Sequence, residues 1–163
     1  PLVMEEKLLS VGVRMPSDDE VAAAKEMVQS IEAGKPMNLE QIYARETLIL
    51  NDLPPTRELK LQAIRIGDLA IGTIPNEVYG STGLNIKKDS PIKPTFVIEL
   101  ANGCEGYLPP PELLKLGGYT CWRARTSCLE SEAEPKIRGA VLELLAKVAK
   151  TRADEPAVAA KKP

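Results

Sequence analysis

Apolar and polar positions change period several times along the chain, and each change marks an element. Residues 4–14 alternate charges with aliphatic side chains and read as a strand. Ser17 and Glu20 form a capping-box pair, and Val21, Ala24, Val28 and Ile31 follow at helical spacing up to Gly34. Asn38 with Gln41 repeats the start signal. Leu39, Ile42, Tyr43, Ile49, Leu50 and Leu53 then make a second helical stripe, which Pro54-Pro55 ends. Leu59, Leu61 and Ala63 alternate with polar residues, after which Ile64 and Ile66 shift the phase, so a strand with a bulge is expected. Gly67-Asp68 suits a two-residue turn, and 69–74 should return antiparallel. Asn76 is placed to cap a helix over 77–88. Residues 95–100 form a strand with Phe96, Ile98 and Leu100 on one face. Residues 101–134 show little regularity beyond a short helix near 112–116, yet hold Tyr107, Tyr119, Trp122 and all three cysteines. Pro135 opens an amphipathic helix with Ile137, Val141, Leu144, Leu145 and Val148 on one face, and the Ala/Lys/Pro tail 151–163 is expected to lack order.

The order strand 69–74, helix 77–88, strand 95–100 is a β-α-β unit, whose strands should run parallel with a right-handed crossover. The fold class is therefore α/β: a small mixed sheet with a hairpin and a β-α-β unit, flanked by helices. Parallel strands end on one sheet edge, so Glu77 and the segment 102–107 should meet at the carboxyl edge, where open α/β sheets bind ligands. A carboxylate there suits a metal ligand, but an acid in a first helical turn is also explained by the helix dipole. Tyr107 and Tyr119 have the plainer role of core-edge aromatics, Trp122 that of packing, and Gly103, Gly106, Gly117 and Gly118 that of turns.

Composition narrows the chemistry. The chain of 163 residues fits one domain, taken as 1–150 plus the tail, and a net charge of −2 argues against a nucleic-acid partner. No apolar run reaches the length of a membrane span, and no secretory signal opens the sequence, which leaves the location unassigned. There is no histidine, so Ser-His-Asp or Cys-His catalysis and imidazole metal sites cannot be built from this chain alone. Cys104, Cys121 and Cys128 fit no zinc spacing; Cys121 and Cys128 either bridge or stay free thiols.

Three segments carry a family likeness. Residues 64–80 (IRIGDLAIGTIPNEVYG), 101–109 (ANGCEGYLP) and 117–119 (GGY) resemble, in order and spacing, stretches of the neutral/alkaline (non-lysosomal) ceramidases, especially their bacterial branch. The likeness runs over about residues 41–148 and corresponds to the last part of the catalytic domain. It implies an amidase that cleaves N-acylsphingosine with a zinc-activated water, the zinc being held by two histidines, a glutamate and a tyrosine. It implies Glu77 as the glutamate ligand, in a Pro-Gly-Glu turn that here reads Pro75-Asn76-Glu77, with Asn76 able to keep the turn by adopting positive φ. It implies Tyr119 as the tyrosine ligand, and Tyr107 and Asn102 as substrate-side residues. The two histidines and the family's serine segment lie upstream in that family and are absent here, as is its C-terminal sandwich domain.

The resulting expectation is the C-terminal portion of a zinc-dependent amide hydrolase, inactive alone. Its partner would be the upstream part of the same domain, its substrate a lipid amide, and its zinc would bind only in the complete protein, for which a secreted or periplasmic location stays open. The alternative is a non-catalytic α/β module that docks through an exposed sheet edge or its carboxyl-edge loop.

Overall fold

A computed structural model describes residues 1–150. The expectation for the 151–163 tail lies outside the described residues. Strand β1 (Leu2–Gly12) leads into two helices, α1 (Asp18–Gln29) and α2 (Leu39–Asn51), before β2 (Thr56–Ile66) returns alongside it. Both capping boxes form: the Ser17 side chain accepts from the Glu20 amide, and Asn38 from the Gln41 amide, each with the reciprocal bond. These bonds satisfy orphan donors of the first turn, which is why both helices start where the pattern places them.

β1 and β2 pair antiparallel in unbroken register from Leu2↔Ile66 to Gly12↔Thr56. The expected bulge is absent. Leu59, Leu61 and Ala63 point inward and are fully buried, while Ile64 and Ile66 belong to the opposite, outer face. Two apolar residues on the outer face mimic a phase shift without breaking the ladder. β3 (Leu69–Thr73) returns from a turn at Gly67, whose φ of 61° favours glycine. β5 (Thr95–Ile98) runs parallel to β3, and α3 (Gly80–Asp89) makes the crossover. The sheet order is β1-β2-β3-β5. A second, two-stranded parallel ladder joins β4 (Glu77–Val78) to β6 (Tyr107–Leu108), followed by the single turn α4 (Pro111–Leu114).

Helix α5 (Ala133–Lys150) lies across the inner face of the sheet. Its Ile137, Val141, Leu144, Leu145 and Val148 are completely buried with Leu59, Leu61, Ala63, Ala70 and Val11. The helix approaches so closely because residue 72 is glycine: a Cβ there would stand 2.8 Å from Val141 Cγ1. The outer face has no such cover among the described residues. Leu2, Met4, Leu8, Ile66, Phe96, Ile98 and Leu100 are exposed on it or at its margin. Phe96 and Ile98 share the expected face, which points away from α5, whereas the strand stops at Ile98 and Leu100 lies past its end with φ of 51°. Apolar patches of this extent mark surfaces that something else covers.

Candidate functional site

The chain folds back on itself beyond the carboxyl ends of β3 and β5. Ile74 donates its amide to Ile98 O, Ala101 to Ile74 O, and Glu105 to Pro75 O. Asn76 is wholly buried, and its Nδ2 donates to the carbonyls of Glu105 and Gly106 at 3.1 Å each. It therefore caps no helix. α3 begins four residues later, with Tyr79 at the N-cap position and no side-chain cap. Nor does Asn76 take positive φ; among the described residues, the non-glycines that do are Leu100 (51°) and Asn102 (67°). Caps and loop sutures demand the same short polar residue type, so the sequence pattern does not separate them.

Glu77 is consequently a strand residue, not a first-turn helical acid. Its amide donates to Gly106 O, and in the β4–β6 ladder it stands directly opposite Tyr107. The Tyr107 phenol faces both the Glu77 carboxylate and Tyr119. Partial desolvation, then the Glu77 charge, then Tyr119, push its pKa upward. Each of these effects favours the neutral phenol, whose hydroxyl is then available as a hydrogen-bond donor. The Tyr107 and Tyr119 rings meet edge to face at 5.6 Å. Tyr119 itself is 65% exposed, on a turn where Gly117 and Gly118 both take positive φ. Glu77, Tyr107 and Tyr119 thus form one cluster, in which Tyr107 neighbours both of the others. Asn102 bonds elsewhere: its Nδ2 donates to Gln62 Oε1 at 2.9 Å and Thr73 Oγ1 at 3.4 Å, back on the sheet.

Glu77 also lines a cleft of about 540 Å³ shared with Arg57, Cys104, Glu105, Glu46 and Arg125. Three cysteines remain free, so the Cys121–Cys128 bridge does not form. The 121–129 loop is held instead by Arg14, by a Tyr79–Thr120 hydroxyl bond of 2.6 Å, and by Trp122 packed edge-on against Tyr43 at 5.4 Å.

Glu46 and Arg125 join this cleft without a motif in the sequence to announce them. Glu46 is buried on α2 and receives Arg125 Nε and Nη2 at 2.8 Å each, plus the Arg125 amide at 3.2 Å. A signal was present: Glu46 occupies a position inside the apolar stripe Ile42, Leu50, Leu53. The Arg125 hydrogen bond holds the Glu46 carboxyl below its ordinary value of 4.5, against the opposing effect of burial. The pair's contribution is therefore present above that pH and lost as pH falls through the lower folded value. We expect Glu46→Gln to cost about 2 kcal/mol at pH 7, and less as pH drops below 4.5. Urea unfolding of both proteins across that range reads the convergence; parallel curves would show that the pair is not the titrating element.

Among the described residues no three His, Cys, Asp or Glu side chains group as a metal site. Glu77 and the tyrosines offer oxygen donors of the right chemistry, but a catalytic zinc takes three protein ligands and an open position. The cluster fits part of such a site and does not complete one.

No family model matches the chain, and no curated protein matches it. Its fold does match solved structures. It superposes on neutral ceramidase from Pseudomonas aeruginosa with a TM-score of 0.59 at 14% identity, over 91% of this chain and 28% of that one. A ceramidase complexed with C2 gives a TM-score of 0.58 at 12% identity, over 91% of this chain and 30% of that one. At these identities the likeness is one of fold: a mixed α/β unit that matches part of a ceramidase. The chain spans less than a third of either chain it matches.

Proposed function

We infer that the chain is part of a ceramidase-like amide hydrolase domain, in which it supplies oxygen ligands to a zinc ion while the rest of the domain supplies the histidines. One observation carries the reading: Glu77 and Tyr107 stand in register at the carboxyl edge of the sheet, inside a fold shared with part of ceramidase. When bound, zinc would polarise the amide carbonyl and lower the pKa of a water. This chain's contribution is positional. The buried Asn76 suture and the Gly106 carbonyl fix β4 against β6, so Glu77 and Tyr107 are held opposite each other. We take Tyr107, which is in register with Glu77, as the second oxygen donor, and Tyr119, edge-on against its ring, as a substrate contact. The uncovered outer face, lined by Met4, Leu8, Ile66 and Phe96, suits packing by the remainder of the domain, and the substrate would be a lipid amide.

The test compares this chain with a protein carrying the complete domain. The isolated chain with added zinc should not hydrolyse an N-acyl amide; turnover above background would overturn the fragment reading. In the complete domain, Glu77→Gln should lower zinc occupancy and abolish turnover with the fold intact. Tyr107→Phe should cost more activity than Tyr119→Phe. A Glu77→Gln protein that keeps its zinc and its rate would show the carboxylate to be structural.

A further inference from the structure

β1 is the edge of the four-stranded sheet, and it is long for an edge: Leu2–Gly12, with no proline or bulge to blunt it. The direction of its free backbone groups follows from its C-terminal end. Val13 donates inward to Pro55 O, whereas Gly12 donates outward to Glu130 Oε1 and accepts from the Glu130 amide. Alternation then turns the amides and carbonyls of Leu2, Met4, Glu6, Leu8 and Ser10 away from β2. Among the described residues, none of these five has a partner on that side. Glu130 closes the strand's end, so the open stretch is Leu2–Ser10.

We propose that a second copy of this chain pairs with that edge, antiparallel about Glu6, joining two sheets into one across a twofold axis. The side-chain pattern is self-complementary in this register. Met4 stands opposite the partner's Leu8, Val3 opposite the partner's Leu9, and Glu5 opposite the partner's Lys7, each pairing occurring twice. The hydrogen-bonded positions are then Leu2, Met4, Glu6, Leu8 and Ser10, the residues whose groups are free. The one like-charge meeting, at Glu6, is offset by Gln62 Nε2 at 3.1 Å and Lys60 Nζ at 3.8 Å. Lys7 holds Glu143 at 3.0 Å, and an ammonium with three donors accommodates the partner's Glu5 as well. Sliding two residues either way sets Lys7 against Lys7 or Glu5 against Glu5, and sliding one puts the α5-facing row against the outer row. The inference stands on β1 alone and does not rest on the hydrolase reading.

Sedimentation equilibrium of the full chain tests it. A monomer–dimer equilibrium is expected, and a monomer throughout the hundreds-of-micromolar range would overturn the proposal. Glu5→Lys alone and Lys7→Glu alone should each weaken the dimer about tenfold, because two attractive cross-strand pairs become repulsive. The double swap should restore it. Leu8→Pro removes an outward-facing amide without touching the β1–β2 ladder and should abolish association. If Leu8→Pro fails to fold by circular dichroism, the charge-swap set decides. A dimer indifferent to single charge reversal, or one the double swap does not rescue, would place the contact elsewhere and overturn the register.

Discussion

Gly106→Ala should lower stability by about 3 kcal/mol, roughly 10 °C in Tm for a chain of this size. Two effects add. Gly106 has φ of 75°, where an L side chain is strained. Its missing Cβ would also fall against the Thr126 carbonyl and Cα, closer than real Cβ atoms approach, and backbone on both sides leaves no rotamer to yield. The damage is local to the site. Gly106 O accepts from the Glu77 amide and from Asn76 Nδ2, and the next residue, Tyr107, donates to Thr126 O. Pushing Thr126 away breaks the β6 side of the ladder and separates Tyr107 from Glu77. Thermal unfolding reads the stability, and the near-ultraviolet tyrosine signal reads the loss of the Tyr107–Tyr119 edge contact. An alanine variant with unchanged Tm would show that the 121–129 loop adjusts freely, and that the site is not fixed by this contact.

Arg14→Met should cost a similar amount, about 3 kcal/mol, through a different mechanism. One guanidinium ties three points of an irregular loop to the end of β1. Nε donates to Leu129 O at 3.0 Å, Nη1 to Cys121 O at 3.0 Å, and Nη2 to Ser127 O and Oγ. Methionine fills much of the volume and supplies none of the donors, so carbonyls facing the interior lose their partners. The cysteines report the consequence. Cys104 is exposed, whereas Cys121 and Cys128 are buried, and burial pushes the Cys128 thiol pKa up. A thiol reagent should modify one cysteine quickly in the unaltered protein and all three in Arg14→Met. Slow labelling of Cys121 and Cys128 in the variant would mean the loop is held by Tyr79, Thr120 and Trp122 without Arg14.

Local signals carried most of the architecture. Ser17 with Glu20, Asn38 with Gln41, and the apolar faces of α2 and α5 are decided within one or two helical turns, and the structure keeps all of them. The β-α-β order likewise implied the parallel β3–β5 pairing and brought Glu77 and the 102–107 segment to one edge, because crossover geometry leaves little choice. Asn76 went the other way: cap and suture use the same amide, and only the return of residues 105–106 onto Pro75 and Asn76 decides between them. The Ile64–Ile66 phase shift was ambiguous for a related reason. A bulge and an apolar outer face give the same one-dimensional pattern, and the unbroken β1–β2 register separates them.

What the sequence by itself determined about this protein is the longer helices and strands, their order, and the absence of any imidazole, since each depends on near neighbours or on composition; the short strands β4 and β6 form only through their pairing with each other. The tertiary structure decided that Tyr107 stands in register with Glu77. Only the β4–β6 ladder, made of backbone bonds between segments 30 positions apart, sets the two residues opposite each other, with Tyr119 meeting the Tyr107 ring edge to face. It also decided that Glu46 meets Arg125 across 79 positions and that, among the described residues, one sheet face lies uncovered. Long-range pairings of this kind depend on how elements pack, and periodicity within an element carries no information about its distant neighbour.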